Sequence, residues 1–363
     1  MIAKLKFSFF LFLLSLCTIS ITSAQVEEIL QTFESAANKG FSGVILVADQ
    51  GEVIYENAVG YRNYEDQVPL KSDDIFELAS ISKQFTSMLI MMCEEKGLLD
   101  YDDPLSKFID IPYPDITIRQ LLTHTSGLPD YQAIMDEHWD KDKVAGNPEI
   151  LEYLREYAPP KLFEPGEKYE YSNTGYVMLG SIVEKVTGED FVQLSRKWIF
   201  EPLGMNNTDL RSLEAKAAVD NFAAGHLKNE NGVYVNANNF KSSDYTIWLG
   251  NRKGPGRVSS NVQDLLIWDQ ALYSSKLVSE KTLDEAFSPQ VLTDGSESMY
   301  GFGWGLDFET HPGKVVLHTG SNPGYKNIIV RNIDQNKTII ILNNNAHPAM
   351  GELVKDLRSI FFN

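Results

Sequence analysis

The chain has 363 residues, of which 43% are hydrophobic and 23% charged, and its formal net charge at pH 7 is -18. That length is enough for one large domain or two closely packed ones with a sizeable core. The negative surface repels nucleic acid and anionic lipid, and no cluster of Lys and Arg reverses this locally. We therefore expect no nucleic-acid partner.

Residues 1–24 have the pattern of a cleavable signal peptide. Lys4 and Lys6 precede the apolar run FSFFLFLLSLCTISI, and small residues follow it. This run is short for a membrane span, and no later segment approaches the roughly 20 apolar residues that a spanning helix needs. We expect cleavage after Ala24 and a periplasmic or secreted protein. The bulky residue before Cys17 disfavours the alternative, a lipoprotein.

Strand patterns occur near both ends of the chain, and helical patterns lie between them. FSGVILVADQGEVIYENAVGY predicts a β-hairpin around residues 49–51, and strand-like runs return after residue 300, as in KVVLHTG, YKNIIVRN and KTIIILNN. Between these runs, short helical patterns alternate with loops rich in Pro and Gly. We predict one α/β domain from residues 25–100 plus 256–363, and a mainly helical domain from residues 101–255.

A serine and a lysine stand three residues apart in FELASISKQFTSMLI, where Ser80 precedes Lys83. Positions i and i+3 share a helix face, so the Lys83 amine can approach the Ser80 hydroxyl. Such a lysine can activate the serine as a nucleophile only where burial or nearby cations depress its pKa. The apolar residues that follow are consistent with burial. The alternative is a capping serine and a solvated lysine at a helix start.

A second candidate is Tyr171-Ser172-Asn173 in FEPGEKYEYSNTGYVMLG, where a polar loop opens an apolar helix. Tyr171 can relay a proton there, and Asn173 can hydrogen-bond a substrate amide or carbonyl. The alternative is a surface turn, because Tyr-x-Asn also occurs at four other tyrosines.

The third candidate is His318-Thr319-Gly320-Ser321, at the end of a predicted strand. Gly320 leaves room for a substrate against the strand edge. A backbone N–H just beyond it can supply half of an oxyanion hole, and the N–H of Ser80 at its helix start can supply the other half.

The order Ser-x-x-Lys, Tyr-x-Asn, His-x-Gly resembles that of the penicillin-recognising serine hydrolases, most closely the class C β-lactamase-related branch. LLTHTSGLPDY, EPLGM and GPGRVSSNVQDLLIWDQAL are also similar to segments of that family, so the resemblance spans essentially the whole mature chain. It implies an α+β fold in which a mostly antiparallel sheet is flanked by helices. An all-α domain would be inserted beside the sheet, with the site in the cleft between them.

The resemblance also implies a role for each motif residue and no metal or cofactor. Ser80 would be the acylated nucleophile and Lys83 the base or its electrostatic partner, while Tyr171 would shuttle the proton to the leaving group. Which of Lys83 and Tyr171 takes the first proton is left open by the sequence. The substrate-binding residues would be Asn173, His318, Thr319 and Gly320, and the backbone N–H groups of Ser80 and Ser321 would form the oxyanion hole.

His318 stands where members that hydrolyse β-lactams usually have lysine. A histidine, with a usual pKa near 6.5, loses much of the charge that suits a penicillin carboxylate. We therefore favour an ester or amide substrate, including a D-amino-acid peptide, and name Lys326 and Arg257 as candidate replacement cations. The alternatives are a true β-lactamase or D,D-carboxypeptidase and, in another class, a non-catalytic module that binds peptidoglycan fragments.

Three further sites receive structural interpretations. His124 in LLTHTSG lacks a G-x-S-x-G elbow and is interpreted as structural. Residues 259–261, Ser-Ser-Asn, imitate a catalytic motif and are interpreted as a helix cap. Cys93, the one cysteine of the mature chain, is predicted to be a buried core thiol.

Overall fold

The computed structural model describes residues 22–363. The predicted signal segment lies largely outside these residues, so cleavage after Ala24 stays a prediction. Among the described residues, no helix combines the length and apolar character needed to cross a membrane. The described helices are α1 (Ser23–Asn38), α2 (Lys83–Glu95), α3 (Ile118–Leu122), α4 (Tyr131–His138), α5 (Asn147–Tyr157), α6 (Asn173–Thr187), α7 (Phe191–Ser195), α8 (Glu201–Leu203), α9 (Leu213–Ala217), α10 (Tyr245–Trp248), α11 (Val262–Ala271), α12 (Glu280–Ala286) and α13 (Met350–Phe362).

Strands are concentrated near the two ends of the chain. They are β1 (Gly43–Asp49), β2 (Glu52–Val59), β3 (Tyr61–Asn63), β4 (Val68–Pro69), β5 (Phe76–Glu77), β6 (Asp209–Leu210), β7 (His226–Lys228), β8 (Tyr234–Asn236), β9 (Val258–Ser260), β10 (Gln290–Val291), β11 (Glu297–Ser298), β12 (Gly305–Asp307), β13 (Val315–Asn322), β14 (Tyr325–Asn332) and β15 (Lys337–Asn343).

The main sheet joins strands from both ends of the chain. It has six antiparallel strands in the order β12-β13-β14-β15-β1-β2. The predicted hairpin is confirmed: β1 and β2 meet at Gln50 and Gly51, whose φ angles of 53° and 80° suit a tight two-residue turn. The predicted α+β class is therefore correct, whereas the exact boundaries of the two domains stay a prediction.

Helices cover both faces of this sheet, which explains its continuous apolar strands. Side chains of successive strand residues point to opposite faces. Ile339 and Ile341 pack in one apolar cluster with residues of α1 and α13, while Ile340 and Leu342 belong to the main core with residues of α2 and α11. Burial on both faces removes the need for polar residues between the apolar ones.

The start of α2 is held between the sheet and the helical region. On one side, β13 packs against the short 3-10 turn Ala79–Ser82 that leads into α2, and on the other side α6 packs along α2. Ser172 is the N-cap of α6, and its side chain accepts a hydrogen bond from the N–H of Gly175. The three sequence motifs therefore converge at one place.

Candidate active site

Ser80 lies in the 3-10 turn Ala79–Ser82, and Lys83 is the first residue of α2. The Lys83 side chain is fully buried, and its Nζ lies 3.2 Å from the Oγ of Ser80. Neither the 3-10 turn nor α2 has a capping side-chain hydrogen bond. The alternative of a capping serine beside a solvated lysine is therefore wrong.

Within residues 22–363, the hydrogen-bond partners of the buried Lys83 amine are all uncharged. Its Nζ donates to the Asn173 Oδ1 at 2.8 Å and to the Pro255 carbonyl at 2.9 Å. Burial first, and then the charge of Arg252, hold the pKa of Lys83 well below its usual value of 10.5. A neutral amine that donates these two hydrogen bonds keeps its lone pair for the Ser80 hydroxyl proton.

Tyr171 packs over the same amine. The Lys83 Nζ lies 4.8 Å from the centre of the Tyr171 ring. Although 37% of Tyr171 is exposed, its hydroxyl is enclosed enough that burial raises the pKa, and the nearby Ser80 hydroxyl offsets part of this increase. Tyr171 therefore stays protonated at neutral pH, next to both the serine and the lysine.

His124 contacts the segment that carries Tyr171. Its buried imidazole accepts the Ser172 backbone N–H at Nδ1, at 3.1 Å, and its ring centre lies 4.3 Å from that of Tyr171. Burial lowers the pKa of His124 well below 6.5, so the ring is neutral. These contacts agree with a structural role, because they position Tyr171 from the side of its ring.

His318 in the third motif is buried and uncharged. Its Nδ1 donates to the carbonyl of Thr319 at 2.7 Å, so its Nε2 accepts from the Tyr300 hydroxyl at 2.8 Å. Burial is the main reason that the pKa of His318 is lowered to about 3. The loss of charge expected from the sequence is complete, and Tyr300 is a partner that no motif indicated.

The structure gives Gly320 a different purpose from the one that we inferred. A Cβ atom at Gly320 would lie 2.0 Å from the carbonyl oxygen of Leu78. The missing side chain therefore lets β13 lie directly against the backbone that leads into Ser80. Thr319 and Ser321, on either side of Gly320, are exposed, and β12 pairs with β13 only as far as Leu317. This leaves one edge of the motif free of a neighbouring strand.

A Gly320→Ala variant should lose about 1–3 kcal/mol of unfolding free energy, because the new methyl group collides with backbone. It should also lose activity, since the displaced strand no longer positions the backbone around Ser80. Urea unfolding and kcat/KM measure the two effects. The matched control is Gly351→Ala in α13, where a Cβ meets nothing within 4 Å. Equal stability of the two variants would contradict the role assigned to Gly320.

A cavity of about 90 Å³ opens beside Ser80. Its lining includes predicted residues together with residues that no motif indicated: Ser80, Asn173, Ser321, Gln132, Tyr245, Arg252 and Asn322. Arg252 is the cation among these lining residues, whereas Arg257 and Lys326, the candidate cations named from the sequence, do not line this cavity. Arg257 instead donates to the carbonyl of Arg211 at 2.9 Å. The sequence feature closest to Arg252 was the family-like segment GPGRVSSNVQDLLIWDQAL, which begins two residues later at Gly254.

Two other structural interpretations are confirmed. Asn261 caps α11 by accepting the N–H of Asp264 at 2.9 Å, and Cys93 is buried in the core. Within residues 22–363, no group of three or more His, Cys, Asp and Glu side chains is arranged to hold a metal ion.

Comparisons with known proteins agree with the motifs. Residues 29–359 match the family model described as Beta-lactamase. The chain is 39% identical to Penicillin-binding protein 4* of Bacillus subtilis (strain 168) over 87% of this chain and 71% of that protein. It is 27% identical to a D-aminopeptidase of Brucella anthropi over 79% of this chain and 53% of that protein.

The fold also matches a solved structure, the octameric penicillin-binding protein homologue from Pyrococcus abyssi. The TM-score is 0.78 at 27% identity, over 94% of this chain and 77% of that one. These similarities confirm the resemblance to the penicillin-recognising serine hydrolases as a group, while the class C branch stays a prediction.

Proposed function

Because this chain belongs to the beta-lactamase family and is a serine hydrolase, we propose that it cleaves an ester or amide through an acyl-enzyme on Ser80. One observation carries the proposal. The buried amine of Lys83 lies 3.2 Å from the Ser80 hydroxyl and has no carboxylate among its hydrogen-bond partners. The lowered pKa of this lysine favours its neutral form, which is the form that can take the proton of a serine nucleophile.

Burial shifts the pKa values of Lys83 and Tyr171 in opposite directions, and this supports a proposal for their roles. It lowers the pKa of the lysine and raises that of the tyrosine. The neutral amine therefore takes the Ser80 proton, and the protonated phenol is the acid. We propose this order as the answer to the question that the sequence left open.

In the acylation step, the Ser80 Oγ attacks the substrate carbonyl while its proton moves to the Lys83 Nζ. The backbone N–H groups of Ser80 and Ser321 stabilise the oxyanion, and Asn173 holds both Lys83 and the substrate. As the bond to the leaving group breaks, Tyr171 donates its proton and regains one from the Lys83 ammonium. A water molecule then attacks the acyl group by the same relay in reverse, which releases the acid and restores Ser80.

The substrate class follows from the uncharged His318. A neutral imidazole whose two nitrogens are both hydrogen-bonded lacks the charge that would hold a penicillin carboxylate. We therefore favour an esterase or a D-amino-acid peptidase, and the similarity to a D-aminopeptidase supports the second. We also propose that the protein acts outside the cytoplasm, since residues 1–24 have the pattern of an export signal.

Two alternatives remain as outcomes of the test. A true β-lactamase or D,D-carboxypeptidase would use the same nucleophile on a different substrate. A non-catalytic module that binds peptidoglycan fragments is less well supported, because a binder has no need for a buried neutral lysine beside a serine.

A substrate panel tests the proposal with the purified protein. A p-nitrophenyl ester and N-acetyl-D-alanine p-nitroanilide should react with a kcat/KM at least about tenfold above that of a chromogenic cephalosporin and of a D-Ala-D-Ala peptide. Mass spectrometry should find the acyl adduct on Ser80. Faster cleavage of the cephalosporin would contradict the substrate class, and no turnover with no adduct would contradict the function.

A further inference from the structure

Arg252 is a buried cation that lines the Ser80 cavity without a carboxylate partner. It is 9% exposed, and its Nη1 donates to the Tyr131 hydroxyl at 2.8 Å. Its Nε is buried and has no hydrogen-bond partner, and within residues 22–363 no carboxylate oxygen lies within 4.0 Å of its nitrogens. Burying a charge is costly unless it is paired, so this guanidinium lacks an anion.

The carboxylate beside this cation is already occupied. Glu77 pairs with Lys216 and accepts a hydrogen bond from the Asn322 amide. Arg257 is a further cation on a small neighbouring cavity that Glu77, Lys216 and Arg252 line together. Three cations therefore surround one carboxylate there, in a chain whose overall formal charge is -18. Arg252 lines both that cavity and the Ser80 cavity, so it is the cation of this group that faces the Ser80 cavity.

We propose that Arg252 binds a carboxylate on the acyl part of the substrate, an inference that rests on the proposed acyl-enzyme function. The N–H donors of a guanidinium match the oxygens of a carboxylate, and desolvation strengthens the pairing. The acyl part is assigned because Tyr171, which protonates the leaving group, does not line this cavity, whereas Ser80 and Asn173 do. The leaving group would then lie towards Tyr171, and the acyl group would extend towards Arg252.

Matched p-nitrophenyl esters test this inference. Mono-p-nitrophenyl glutarate, adipate and suberate are each compared with the corresponding methyl-capped diester, after subtraction of spontaneous hydrolysis. For at least one chain length, kcat/KM of the acid should exceed that of its neutral counterpart by about tenfold or more. Arg252→Gln should abolish this preference, and Arg252→Lys, which keeps the charge but loses the planar fork, should retain part of it. Arg257→Gln is the matched control and should retain the preference.

The ratio between acid and neutral ester is the measured quantity, because Arg252 also influences the pKa of Lys83 and hence the rate on every substrate. An equal loss on both esters would overturn the inference, since Arg252 would then act only through Lys83. A wild-type enzyme without any preference for the acids would overturn it too, even where Arg252→Gln does not fold. Failure to acylate Ser80 with any ester would instead contradict the proposed function itself.

Discussion

The Ser80→Ala variant is expected to lose activity by a factor on the order of 10³–10⁶ in kcat on every substrate that the wild type hydrolyses. The reason is that, in the proposed mechanism, the acyl intermediate forms on the Ser80 hydroxyl. Ser80 is only partly buried and caps no helix, so its hydroxyl contributes little to the fold. The loss should therefore appear in kcat and in the disappearance of the acyl adduct, while the unfolding transition stays nearly unchanged.

Ser87→Ala provides a control on α2, the helix that directly follows the turn with Ser80. The Ser87 hydroxyl lies 3.1 Å from that of Tyr176, which also donates to the carbonyl of Leu122 at 2.9 Å. Removing it leaves Tyr176 with a partner and should preserve both activity and acylation of Ser80. Turnover by Ser80→Ala at more than about one hundredth of the wild-type rate would show that another residue is the nucleophile.

The sequence predicted the contact between Ser80 and Lys83 because it is local. Residues three apart on a helix share a face, and the apolar stretch after Lys83 indicated burial. The sheet was predictable for a similar reason, since apolar strand runs with turn residues between them mark hairpins. Both inferences need only short-range geometry, and the spacing of residues along the sequence reflects that geometry.

The polar residues that contact His318 and line the Ser80 cavity were not predictable in this way. Tyr300 reaches His318 across 18 positions, and Arg252 reaches the Ser80 cavity from a segment more than 170 positions away. The sequence indicated Arg257 and not Arg252, but Arg257 has a φ of 79° and donates to the Arg211 carbonyl instead of lining the Ser80 cavity. The direction in which a loop side chain points depends on tertiary packing, and a single sequence does not reveal that direction.

The same limit explains Gly320. A glycine after a strand indicates a close approach, but the pattern does not say what approaches. In this structure the neighbour is the carbonyl of Leu78. Gly320 therefore affects function indirectly. It keeps the backbone of β13 in contact with the backbone that leads into Ser80, and these two segments would supply the N–H groups of the oxyanion hole.

The second large effect is expected at Lys83, and it appears in the pH dependence. The pKa of Lys83 is lowered in the folded protein, so its amine is neutral above that pKa and protonated below it. The kcat/KM of the wild type should therefore fall as the pH drops through the pKa of the folded-state amine. Lys83→Arg should lose activity by about 10²–10⁴-fold at all pH values, because a guanidinium cannot accept the Ser80 proton.

Two further variants test whether the pH dependence comes from Lys83 or from another group. Lys253→Arg is the control for the charge-conserving change, since Lys253 forms an ion pair with Glu184 at 2.7 Å and takes no part in the proton relay; its profile should match that of the wild type. Tyr171→Phe should lower kcat but leave the acid limb of kcat/KM at the same pH, because the phenol acts as the acid. If the limb instead vanishes in Tyr171→Phe and persists in Lys83→Arg, then Tyr171 is the first base, and the opposite pKa shifts of the two groups do not assign their roles.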